Sequence, residues 1–170
     1  TTYVSLAEPE VVAVADQPSS TAWDLAFRGW EIFTNSGLSG PGSGGAFGPL
    51  GPADFDEPRP PVPFVIEDGT AGAFWRWWAY DGNGHIIYSR YHVYGVRQAG
   101  SYWKVQVLGY YGEDQGAPVT SLYRVRYAEV TEQGSAATTT LTDLDGTAGG
   151  VDPPPTAPSG CLDLRTGTVP

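Results

Sequence analysis

Apolar and polar positions alternate along most of this chain, the period of strands with one face on a core. From Trp23 the run sends Trp23, Leu25 and Phe27 one way and Asp24, Ala26 and Arg28 the other. At Gly29 the phase slips, and Trp30 and Ile32 continue the apolar series on the formerly polar side; a β-bulge at Arg28–Gly29 accounts for it. Upstream, Tyr3, Ser5 and Val11 to Val14 read as two short strands around Glu8-Pro9-Glu10. Downstream, Ala73 to Tyr80 is the most aromatic window. As a strand it puts Trp75, Trp77 and Ala79 on one face and Phe74, Trp78 and Tyr80 on the other. Asp81-Gly82-Asn83-Gly84 is a turn leading into His85 to Tyr88. Tyr91–Arg97 and Tyr102–Leu108 form an antiparallel hairpin, with Trp103, Val105 and Val107 inward and Tyr102, Lys104 and Gln106 toward solvent. Leu122 to Val130 alternates again.

Between these strands the chain is rich in turn formers. Gly37 to Pro52 reads as a surface loop pegged by Phe47 and Leu50, and Asp54 to Pro63 as an acidic, then extended proline-rich connector. Phe64 to Asp68 resumes an edge strand. From Leu144 the composition turns to Pro and Gly, giving a body over 1–143 and an extended tail over 144–170, laid across the body by Leu162 and Leu164. The expected fold is one all-β antiparallel domain with long Gly/Pro-rich loops and that C-terminal tail.

Composition agrees. With 23 glycines, 15 prolines and 13% aromatics, short strands and turns are favoured over helices, and 41% hydrophobic residues suffice for a core. A net charge of −10 with no basic stripe argues against nucleic acid, and no apolar run reaches membrane-spanning length. The single cysteine, Cys161, has no internal disulfide partner and reads as a small buried apolar residue. A start without methionine is what a processed mature form would show.

The run from Trp23 to Gly37, ending in Thr34-Asn35-Ser36-Gly37, resembles the signature of the HmuY family, secreted or lipid-anchored bacterial β-proteins named for a haem-binding member. Trp77-Trp78-Ala79-Tyr80-Asp81, Val93 to Arg97, Tyr102 to Val107 and Tyr110-Tyr111 are similar to that family's central strands, and the likeness spans residues 3 to 130. The resemblance implies an exported protein at the outer cell surface that binds haem or another porphyrin for iron acquisition. Family members ligate iron through His or Met; with no methionine in this chain, His85 and His92 are the candidates.

Seven residues apart, the two imidazoles fall on opposite faces of a continuous strand, so both reach one iron only if Tyr88-Ser89-Arg90 folds back. His85, after the turn, is the better ligand. Trp75, Trp78, Tyr80 and Tyr88 are candidates to line the porphyrin pocket, or else fill the core. Asp143 and Asp145, alternating before Gly146, are weak calcium candidates, as is the crowded Asp54 to Glu57. No nucleophile elbow or close-spaced metal-hydrolase set is present, so the expectation is a binding protein and not an enzyme. The alternative is a non-catalytic surface module, calcium-stabilised, that interacts with surface proteins and has lost the haem site.

Overall fold

The computed structural model describes residues 2–4, 11–12, 14, 16–70, 73–98 and 100–147. Their fold is all-β, with every strand pairing antiparallel. Strands β1 (Thr2–Val4), β2 (Val11–Val12), β3 (Leu25–Arg28) and β4 (Glu31–Thr34) make one sheet in the order β2-β1-β3-β4. The larger sheet contains β5 (Gly45–Leu50), β8 (Val93–Gln98), β9 (Ser101–Asp114), β10 (Ala117–Thr131), β11 (Gly134–Ser135) and β12 (Thr139–Asp145). Its order is β11-β10-β9-β8-β5, with β12 also on β10, and it curls into a half-barrel. Strands β6 (Trp78–Asp81) and β7 (Ile86–Ser89) form a separate hairpin.

The long β9–β10 hairpin turns at Gln115-Gly116, both at positive φ, and its register slips between Thr120 and Arg124, where Ser121 takes φ +63°. Extra residues on one strand raise the local twist, which bends the hairpin over the smaller sheet. Trp23, Leu25 and Phe27 fill that concavity with Trp77, Tyr94, Tyr110 and Tyr123. The rings meet edge-on or tilted: Phe27 and Tyr123 at 5.2 Å, Tyr110 and Tyr123 at 5.5 Å, Trp77 and Tyr123 at 5.6 Å.

Several expectations are corrected. The phase slip at Gly29 is no bulge: Gly29, at φ +57°, and Trp30 form a two-residue turn, and Arg28 pairs with Glu31. Glycine at the first loop position is what such a hairpin requires. Ala73 to Trp77 is a turn, with strand beginning only at Trp78. Phe47 and Leu50 belong to β5, not to a loop, and Phe47 meets Phe64 edge-on at 4.9 Å. Phe64 to Asp68 contributes a single bridge, Ile66 to Ala46.

Lys104 and Gln106 are 4% and 1% exposed, where alternation put them in solvent. The acidic connector lies over them. Lys104 Nζ donates to Glu57 O at 2.9 Å, Gln106 accepts from Arg126 Nε at 2.5 Å, and the cations of Lys104 and Arg126 sit over Phe55 at 5.0 and 3.9 Å. Desolvation lowers the Lys104 pKa, and the Asp56 charge opposes it. Strand β12 runs on to Asp145 with Leu144 fully buried; the tail contacts expected of Leu162 and Leu164, and Cys161, lie outside the described residues.

The Thr34-Asn35-Ser36-Gly37 run is a buried polar latch. Thr34, Asn35 and Ser36 are all 0% exposed. Asn35 Nδ2 donates to Trp23 O (2.7 Å) and Ser20 O (3.1 Å), while its Oδ1 accepts from Gly42 N. Asp68 closes the other side, its two carboxylate oxygens accepting from Thr34 N and Ala73 N, both at 2.7 Å, and its own N–H donating to Ser36 Oγ. Gly37, at φ +54°, approaches so closely that a Cβ would stand 2.2 Å from Asp68 O.

Burial raises the Asp68 carboxyl above its ordinary 3.8, against the pull of the hydrogen bonds it accepts. A raised folded pKa means more protons bound folded than unfolded. Its contribution to stability is therefore fullest below pH 3.8 and declines as pH rises through the folded pKa. In Asp68→Asn an amide NH2 faces one of the two backbone donors, costing about 1–3 kcal/mol. Urea denaturation at pH 4 and pH 7 should show the wild type more stable at both, with the gap to Asp68→Asn narrower at pH 7; a flat or widening gap would contradict the assignment.

Candidate aromatic groove and histidine hairpin

The aromatic window from Ala73 to Tyr80 is held by its backbone. Phe74 and Trp77 are 2% exposed and anchor it in the core, Phe74 lying 4.7 Å from the ring of Tyr94. Four successive carbonyls then accept hydrogen bonds from elsewhere in the chain. Tyr94 Oη donates to Trp75 O (2.6 Å), His92 Nδ1 to Arg76 O (3.0 Å), Arg90 N to Trp77 O (2.9 Å) and Arg90 Nε to Trp78 O (3.0 Å). Burial pushes the Tyr94 phenol well up, with Arg90 pulling it back, so it is a neutral donor near neutral pH. The side chain of Trp77 joins in, Nε1 donating to Trp30 O at 2.9 Å.

This pinning sets out a groove of about 300 Å3, walled by Trp30, Trp75 and Trp78 and floored by Ile32, Phe74 and Trp77. Trp30 is 54% and Trp75 45% exposed. Arg76 takes φ +63°, a left-handed conformation unusual for a non-glycine residue, and lies with its guanidinium 4.1 Å from the Trp75 ring. Glu31, also at the groove, is held by Arg28 at 2.7 Å.

From the groove, one face of the β6–β7 hairpin continues through Trp78 to Tyr80, since alternate residues share a face. At the tip His85, at φ +54°, meets Tyr80: Tyr80 Oη and His85 Nδ1 are 2.5 Å apart, ring centroids 6.0 Å. His85 is exposed, and among the described residues nothing bonds its Nε2. It does not line the groove.

The candidate residues thus separate into three groups. Trp75 and Trp78 share the groove, and Tyr80 and His85 share the hairpin tip. Tyr88, paired with Ala79, points to the opposite face, 52% exposed. His92 sits at the hairpin base, its Nδ1 bound to Arg76 O, which makes it a tether for the aromatic loop. Strand β7 stands between the two histidines, with His85 at the tip beside Tyr80 and His92 at the base on Arg76 O, so the fold does not bring them together.

Two of the acidic candidates accept local hydrogen bonds, and a third is exposed. Asp145 Oδ1 accepts from Thr147 N (2.7 Å) and Oγ1 (2.5 Å), Asp54 Oδ2 from Gly51 N (2.7 Å), and Asp143 is an exposed residue at φ +58°. Among the described residues no three His, Cys, Asp or Glu side chains converge as metal ligands do. A larger cavity, about 670 Å3, lies beneath the proline connector, lined by Arg59, Val62, Tyr102, Trp103 and Glu129, and contains neither histidine.

Sequence reasoning missed Trp30, Ile32 and Arg76. The first two sat inside the run from Trp23 to Gly37, and only a turn at Gly29, in place of a bulge, brings Trp30 to the surface beside Trp75. No family model matches the sequence, and no curated protein matches it.

Removing the Tyr94 hydroxyl tests the pinning. Tyr94→Phe leaves Trp75 O without its donor and should cost about 1 kcal/mol, while hydrogen exchange of the amides from Ala73 to Trp77 speeds up. Unchanged exchange there would show that the loop is held by packing alone.

Proposed function

We propose that the chain is an exported, non-catalytic binding protein of the HmuY type, taking haem or another porphyrin on the Tyr80 side of the β6–β7 hairpin with His85 as a single axial imidazole. The observation that carries this reading is the Tyr80–His85 contact. A phenol on Nδ1 orients the ring and leaves Nε2 for a metal, the arrangement by which outer partners prepare histidine ligands. Tyr80 offers an exposed aromatic flank at the same place. The macrocycle is too wide for the tryptophan groove, so Trp75 and Trp78 would meet at most its edge. His92 stands at the hairpin base with its Nδ1 on Arg76 O, away from the Tyr80–His85 tip, and is left out of the coordination. The order of the Trp23–Gly37 and Trp77–Tyr111 segments along the chain supports the family reading.

A non-catalytic surface module that binds partners without haem is the second reading. It is favoured by the exposure of His85 at the hairpin tip, outside the lining of the tryptophan groove.

Haemin titration followed in the visible spectrum separates the two. Under the first reading the Soret band shifts and saturates near one equivalent; His85→Ala weakens binding by about tenfold or more, Tyr80→Phe by less, and His92→Ala leaves the spectrum unchanged. A titration matching haemin in buffer, or one indifferent to His85→Ala, would remove the haem assignment.

A further inference from the structure

The tryptophan groove has features that the fold does not need. Two indoles stand about half exposed on a backbone pinned at each carbonyl between them and the core, which is costly apolar surface held in place. Arg76 adds a left-handed backbone, of the kind that accumulates at binding sites. Its guanidinium has no carboxylate partner among the described residues, and the one acid at the groove, Glu31, is already neutralised by Arg28. In a chain of net charge −10, this groove is locally cationic.

The groove also carries backbone polarity. Arg28 and Glu31 close the β3–β4 hairpin as a hydrogen-bonded pair, so the N–H and C=O of Ile32, a lining residue of the groove, point away from β3 on the outer edge of β4. The same edge is shut on both sides: Trp30 O is taken by Trp77 Nε1 and Thr34 N by Asp68. One residue's N–H and C=O are too few for an added peptide strand, but they suit a pair of hydroxyls. At about 300 Å3 the space lies at the small end of ligand sites and takes one or two small rings.

We infer that this groove is a saccharide site selective for a pyranose bearing a carboxylate, a hexuronate unit of an acidic glycan. The C–H groups on one face of the ring carry partial positive charge and lie against the negative face of an indole, Trp30 or Trp75. The carboxylate meets the Arg76 fork, held with its Cζ 4.1 Å from the centre of the Trp75 ring, which can offer two parallel hydrogen bonds. Ring hydroxyls meet the Ile32 N–H and C=O. The site stands apart from His85 and does not depend on porphyrin binding.

The test is titration of the full chain with tetragalacturonate, with cellotetraose as the neutral comparator, read by tryptophan fluorescence and calorimetry. Saturable binding of tetragalacturonate is expected, at least about tenfold tighter than cellotetraose and weakened by salt. Arg76→Gln should remove that preference, Trp75→Ala should abolish binding, and His85→Ala should change nothing. Arg76 and Trp75 are surface side chains, so unchanged thermal unfolding of both variants is the folding control. No saturation by about 10 mM, equal binding of cellotetraose, or wild-type affinity in Arg76→Gln would each overturn the inference. Sensitivity to His85→Ala would transfer the effect to the hairpin tip and overturn it too.

Discussion

The structure depends on one buried carboxylate. Asp68 lies more than thirty residues beyond the Thr34–Gly37 turn, yet it supplies that turn with a carboxylate, an amide N–H and a carbonyl, by bonds to Thr34, Ser36 and Leu38. Its second carboxylate oxygen reaches Ala73 and starts the aromatic loop. A desolvated carboxylate is expensive unless its lone pairs are met, and here two backbone donors meet them. The latch therefore ties the edge of the small sheet to the segment that bears Trp75 and Trp77. Gly37 and Gly40 are small because the polar groups come that close: a Cβ on Gly40 would stand 2.1 Å from Asn35 Oδ1.

What was legible in the sequence follows from what alternation can report. It identified β3, β8, β9 and β10 as strands and the inward set of Trp103, Val105 and Val107, because each of these packs one face on the core. It failed where a second layer covers the outer face. Lys104 and Gln106 read as solvent-facing, and nothing local announces that Phe55 and the acidic connector will lie on top of them. At Gly29 a bulge and a two-residue turn both shift the phase by one, and only the cross-strand partner of Arg28 distinguishes them. The Thr34-Asn35-Ser36-Gly37 run was visible as a turn signal, but its work as an internal clamp depends on Asp68, whose position no spacing rule connects to Thr34.

The candidate sites were half legible for a related reason. His85 and Tyr80 are five residues apart across a turn, a separation that a hairpin register brings together. The groove combines Trp30, from the β3–β4 turn, with Trp75, from the aromatic loop ahead of β6, and Trp77 reaches back to Trp30 O between them. Histidine was the conspicuous chemistry in the sequence; a cation on an indole beside a half-buried strand edge becomes conspicuous only in three dimensions.

The closure of the Gly29 turn bears on the order in which the molecule can assemble. Gly29 O is held by Tyr123, 94 residues further along, and Gly29 N by Gly146. During synthesis from the N-terminus, β3 and β4 emerge with Trp23, Leu25 and Phe27 long before the strands that will cover them exist. The β9–β10 hairpin, by contrast, pairs neighbours and can form as soon as it is made, since local closure costs little loop entropy. Closing the Gly29 turn therefore requires the chain as far as residue 146, whereas the β9–β10 hairpin needs only its own residues.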